Sequence, residues 1–75
     1  MTTGRKRSLS IAGHRTSISL EDPFWEALGE IAAGEARPVS TVIAEVDSGR
    51  GTLNLSAALR LHILAHNRER AKRAG

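Results

Sequence analysis

From Arg15 to Leu20 the chain alternates, with Thr16, Ile18 and Leu20 on one side and Arg15, Ser17 and Ser19 on the other. A period of two sends successive side chains to opposite faces of an extended backbone, so this stretch predicts a strand with one apolar and one wet face. Leu9 and Ile11 alternate as well, but in the opposite phase. Gly13 and His14 sit where the phase changes. Either a β-bulge there or a two-residue hairpin with Gly13 first returns the apolar residues to a common side.

Beyond Leu20 the spacing becomes helical. Asp22-Pro23 predicts a helix start, because the carboxylate accepts from a free backbone amide and proline in the first turn loses no needed donor. Phe24, Leu28, Ile31 and Ala32 then recur on one face, and Gly34 is a natural stop. Arg37 and Pro38 form the connection to a second helix capped by Ser40, with Val39, Val42, Ile43 and Val46 on one side. Its β-branched content also suits a strand, but Glu45 interrupts the alternation and favours helix.

Gly49 and Gly51 mark a loop, after which Asn54 or Ser56 caps a third helix running to about Arg70. Leu55, Leu59, His62 and Ile63 make one stripe on it, and Leu61, Leu64 and Ala65 widen that stripe. A helix apolar over so much of its circumference needs two neighbours. Residues 1–7, polar and without period, predict a flexible basic arm. Residues 71–75 predict a frayed tail, leaving residues 8–70 as one domain.

With 75 residues the chain holds one domain that buries too little surface to be comfortably stable alone. It has no cysteine for a disulfide and only three histidines, which argues against structural zinc and leaves dimerisation as the ordinary remedy. Charge is segregated. Residues 1–20 carry Arg5, Lys6, Arg7 and Arg15 without an acid, the middle carries Glu21, Asp22, Glu26, Glu30, Glu35, Glu45 and Asp47 against Arg37, and the end is basic again. Such a chain presents a basic surface to a polyanion while keeping acid elsewhere. The apolar stretch Leu9 to Ala12 is too short for a signal peptide and no run suits a bilayer, so the expectation is a cytoplasmic protein with no membrane partner.

No nucleophile motif, phosphate loop or metal-ligand spacing stands out, so neither enzyme activity, cofactor nor metal is expected. His62 and His66 lie four apart, but no acidic or sulfur ligand stands at a recognisable spacing beside them, and they read as half-buried packing residues. Phe24 and Trp25 open an amphipathic helix and read as core and interface rather than base-stacking platforms.

A strand followed by two helices joined by a short loop resembles the ribbon-helix-helix family of bacterial DNA-binding proteins. The segments Lys6-Arg7-Ser8, Gly13 to Glu21 and Phe24-Trp25 look like an uncharacterised branch of it with a third helix, whose start Asn54-Leu55-Ser56 and Ala58-Leu59-Arg60 resemble. The resemblance covers about residues 6–67. It implies a mainly α fold with a short β-strand, built as an intertwined homodimer around an intermolecular antiparallel two-stranded ribbon, plus the additional C-terminal helix. The shared dimer core would be Ile18, Leu20, Phe24, Leu28, Ile31, Val42, Ile43 and Val46. The ribbon would enter the major groove of double-stranded DNA with Arg15, Ser17 and Ser19 toward the bases. Arg5, Lys6, Arg7 and the start of the second helix, Ser40 and Thr41, would meet phosphates. Pro38 departs from the pattern, since the family commonly has glycine two residues before the capping residue. The function implied is transcriptional regulation. The alternative is a dimeric protein–protein interaction module, antitoxin-like, with weak or no DNA binding.

Overall fold

A computed structural model describes residues 5–74. Two strands, β1 (Arg5–Ile11) and β2 (His14–Leu20), form an antiparallel hairpin. Three helices follow: α1 (Asp22–Gly34), α2 (Val39–Gly49) and α3 (Leu55–Ala74). The phase change at Gly13 is resolved by a two-residue turn, Ala12-Gly13, rather than a bulge. Both residues take positive φ, 51° and 84°, as the favoured hairpin turn requires. Glycine therefore stands second in the turn, not first. With Leu9 opposite Thr16, Ile11 opposite His14 and Arg7 opposite Ile18, the two out-of-phase apolar sets fall on one face.

Within the chain β2 thus pairs with β1, and among the described residues no strand pairs with its other edge. The short turn is the physical reason: it brings β1 back onto β2 at almost no loop-closure cost. It also corrects the flexible arm, because Arg5, Lys6 and Arg7 are strand residues paired with Leu20, Ser19 and Ile18. The rest of that arm, residues 1–4, lies outside the described residues. The tail is likewise corrected through residue 74, since α3 continues unbroken to Ala74; Gly75 lies outside the described residues.

Helix ends differ from the expected ones by a residue or two. Glu21, not Asp22, is the N-cap of α1, with its carbonyl accepting from the amides of Phe24 and Trp25. Pro38, not Ser40, precedes α2, and its carbonyl accepts from Thr41 and Val42. Gly34 is the last residue of α1, but the chain reverses at Ala36, whose φ is 54°. The amides of Arg37 and Ala36 then donate to the carbonyls of Ala32 and Ala33, the double bond pattern that closes a helix on a left-handed residue. Asn54 caps α3 as expected, its Oδ1 accepting from the Ala57 amide at 2.8 Å.

One core joins all five elements: Ile11 and Ile18 with Leu20 from the hairpin, Trp25, Leu28, Ile31 and Ala32 from α1, Val42 and Ile43 from α2, and Leu59 and Ile63 from α3. Phe24 and Val46 pack against it partly buried. The residues assigned to a shared dimer core are therefore already used inside a single chain. Each large aliphatic among them contributes about 1.5–3 kcal/mol on leaving water. The outer side of α3 remains uncovered, with Leu61 and Leu64 exposed.

Candidate nucleic-acid interface

Residues directly opposite in an antiparallel pair share a face. The hairpin register therefore gathers Lys6 with Ser19, Ser8 with Ser17, and Ser10 with Arg15 on the side away from the core. All six are exposed. The Ser8 and Ser17 hydroxyls lie 3.3 Å apart across the middle of this face. The result is a polar ribbon surface with short hydroxyl side chains along its centre and one long cation at each end, Lys6 and Arg15, on opposite strands.

Both strands are braced from behind. On β1 the Trp25 indole Nε1 donates to the Arg5 carbonyl at 2.8 Å, and the Arg7 guanidinium lies 4.9 Å from the indole centroid. Arg5 also meets Asp22 at 3.2 Å, with both side chains more than half exposed. On β2 the Ser56 hydroxyl donates to the Ser19 carbonyl at 2.8 Å. Two residues further on, Arg60 grips Glu21 through two bonds of 3.0 and 3.2 Å and lies 5.8 Å from the Phe24 ring centroid. The hydrogen bond from Arg60 holds the Glu21 carboxyl below the usual carboxylate range. Indole and Arg60 thus fix the two strand ends against the helices that begin beside them.

Arg15, Ser17 and Ser19 are brought together on this face, and Lys6 joins them. Arg5 and Arg7 are not on it, because alternation sends them to the helix-facing side, where Asp22 and Trp25 receive them. Ser40 and Thr41 occupy the first turn of α2, Ser40 half-buried and Thr41 exposed. Among the described residues no hydrogen bond ties either of them to the ribbon. Ser8 and Ser10 escaped the reading from sequence. Their alternation with Leu9 and Ile11 was visible, but only the turn at Ala12-Gly13 decides that they share a face with Ser17 and Arg15.

Arg37 builds a second charged cluster away from the ribbon. It bonds Glu45 at 2.8 Å and Glu35 at 2.6 Å, joining the two ends of the α1–α2 connection to α2. The Arg37 hydrogen bond lowers the Glu45 carboxyl below its ordinary value, and the two carboxylates raise the guanidinium in turn. His62 and His66 are both half-buried. Among the described residues no group of three or more His, Cys, Asp or Glu gathers to hold a metal, and no helix is long and apolar enough to cross a membrane.

A family model for the ribbon-helix-helix domain matches residues 4–67, which takes in the hairpin, α1, α2 and most of α3. The chain belongs to the ribbon-helix-helix family. No match is found among curated proteins or among solved structures. The ribbon-helix-helix family is generally one of DNA-binding regulators that bind as dimers, and it is typically non-enzymatic. In this ribbon-helix-helix chain the β1–β2 hairpin comes first, and the helix pair that follows it is α1 and α2. The third helix packs on both.

Proposed function

We propose that the protein binds double-stranded DNA through the outward face of its hairpin and acts as a transcriptional regulator. The observation that carries this reading is the uniform polarity of that face, with Lys6, Ser8, Ser10, Arg15, Ser17 and Ser19 all exposed on one side of a two-stranded ribbon. A ribbon of two strands is one of the two elements that the major groove admits. Arg15 is the base reader of highest information content, since a guanidinium bonds guanine O6 and N7 together. Ser17 and Ser19 donate or accept with any base edge. Lys6 meets phosphate at the opposite corner, flanked by Arg5 and Arg7 at the ribbon's margin. The first turn of α2 at Ser40 and Thr41 offers amides to a further phosphate.

Serine-rich reading predicts modest sequence discrimination and a large electrostatic share of the affinity. The test is fluorescence anisotropy of the full chain against a pool of random duplexes between about 50 and 200 mM salt. A steep fall with salt, and a loss of roughly tenfold or more at low salt for Arg15→Ala, is the expected result. Duplexes that fail to bind even at low salt would sink the proposal and return the fold to the protein-interaction reading.

A further inference from the structure

Three cross-strand pairs make up the outward face of the hairpin: Lys6 with Ser19, Ser8 with Ser17, and Ser10 with Arg15. Among the described residues only the middle pair is joined side chain to side chain, with Ser8 Oγ and Ser17 Oγ 3.3 Å apart. The backbone explains the contact. Opposed residues in an antiparallel ladder alternate between a wide pair that exchanges backbone hydrogen bonds and a narrow pair that exchanges none, with Cα atoms about 4.5 Å apart. A two-residue turn closes on the wide kind, here Ile11 with His14. Counting back by alternation makes Leu9–Thr16 wide and Ser8–Ser17 narrow, which is where two short hydroxyl side chains meet.

Two serines so linked are not two independent serines. Each hydroxyl carries one proton and two lone pairs. The bond between them uses one proton and one lone pair, so whichever serine donates, one outward O–H remains and each oxygen keeps a free lone pair. A groove therefore meets one donor and one acceptor side by side, the combination that an asparagine or glutamine amide offers to adenine N7 and its N6 amino group. Guanine asks for two donors, at N7 and O6, and the pair has one. Cytosine and thymine each present a single hydrogen-bonding group. We propose that Ser8 and Ser17 form one composite reader that selects adenine in the major groove, which makes Ser8 on β1 a specificity-determining residue. The inference rests on the DNA-binding reading of this face and sharpens it, because a lone serine bonds any base edge and a linked pair does not. Arg15 stands two residues along β2, about 6.8 Å away, so the adenine falls about two base pairs from the guanine that Arg15 bonds. The pair is built within one chain, so every copy that meets DNA presents one.

The test is selection of bound duplexes from a random pool by the full chain at low salt, followed by sequencing, for the wild type, Ser8→Ala and Ser8→Thr. Ser8 is exposed, so each variant should keep the fold, which circular dichroism checks. The wild type should enrich adenine roughly tenfold at the position two base pairs from the selected guanine. Ser8→Ala should lose that enrichment while keeping the guanine and most of the affinity, and Ser8→Thr, which restores a hydroxyl, should regain it. Replacing that adenine by the analogue with carbon in place of N7 leaves base pairing intact. It should weaken the wild type roughly tenfold and Ser8→Ala by about threefold or less. Enrichment of another base or of none at that position, or an adenine preference that survives Ser8→Ala, overturns the composite reader and leaves DNA binding by the ribbon standing. Duplexes that none of the three proteins binds overturn the DNA reading itself, and this inference with it.

Discussion

Two alanines hold backbone conformations that a β-carbon disfavours, Ala12 in the hairpin turn and Ala36 after α1, with φ of 51° and 54°. A left-handed residue with a side chain costs about 1–2 kcal/mol relative to the right-handed form, and asparagine or glycine relieves most of it. Ala36→Gly should therefore stabilise the protein by about 0.5–1 kcal/mol, and Ala12→Asn by a similar amount. Thermal melts check both, at roughly 4–8 °C per kcal/mol for a domain of this size. No gain at Ala36 would mean that the left-handed residue is not what limits the α1 terminus. Gly13 makes the converse case. A β-carbon there meets nothing within 4 Å, yet φ is 84°, so the penalty of Gly13→Ala is conformational and not steric contact with neighbours.

At the scale of elements, the hairpin is held by what packs behind it. Trp25→Phe keeps a ring beneath Arg7 but removes the donor to the Arg5 carbonyl, and should cost about 0.5–1.5 kcal/mol. Trp25→Ala removes the ring as well and should cost about 3–5 kcal/mol. Chemical denaturation followed by circular dichroism separates the two. The other brace, Arg60 on Glu21, makes the fold sensitive to acid. Because the Glu21 carboxyl is depressed in the folded state, its contribution is present above the ordinary carboxylate value of 4.5 and is lost as pH falls from there through the folded value. Glu45 behaves likewise through Arg37. Stability should thus drop below about pH 4.5, and Glu21→Gln should flatten part of that fall. A Glu21→Gln melt series with the wild-type pH dependence would show that the pair contributes nothing measurable, as exposed pairs often do.

For the whole molecule, the decisive point is that one chain encloses its own core. Ile18 is 2% exposed without any partner subunit. Ile18→Asp should accordingly unfold the chain outright, by burying an unpaired carboxylate among Leu20, Leu28 and their neighbours, rather than merely splitting a dimer. Circular dichroism with sedimentation on the same sample decides it, because a folded monomer would mean that the hairpin is dispensable to the core. Charge is arranged at this scale too. The hairpin carries Arg5, Lys6, Arg7 and Arg15, the far half of α3 carries Arg68, Arg70 and Lys72, and acid is concentrated in α1 and α2.

Periodicity by itself determined the second strand, the three helices and the inward faces of α1 and α2, because a period of two or 3.6 follows from local geometry whatever the surroundings. It also determined that Arg15, Ser17 and Ser19 lie opposite Ile18 and Leu20. The identity of the strand that pairs with β2 within the chain was decided by the tertiary structure, since Gly13-His14 reads equally as a bulge or a turn until β1 is seen folded back through Ala12-Gly13. With that pairing came the sorting of Lys6 from Arg5 and Arg7, and the union of Ser8 and Ser10 with Arg15, Ser17 and Ser19 on the outward face. The helix starts at Glu21 and Pro38 were decided there too, because a cap depends on which carbonyl or side chain is free, and the carboxylate of Glu21 is held by Arg60 on α3. The two sides of α3 were both apolar in the sequence. Only packing in three dimensions chose Leu59 and Ile63 for this chain's core and left Leu61 and Leu64 outside, because the hairpin, α1 and α2 reach one side of that helix and not the other.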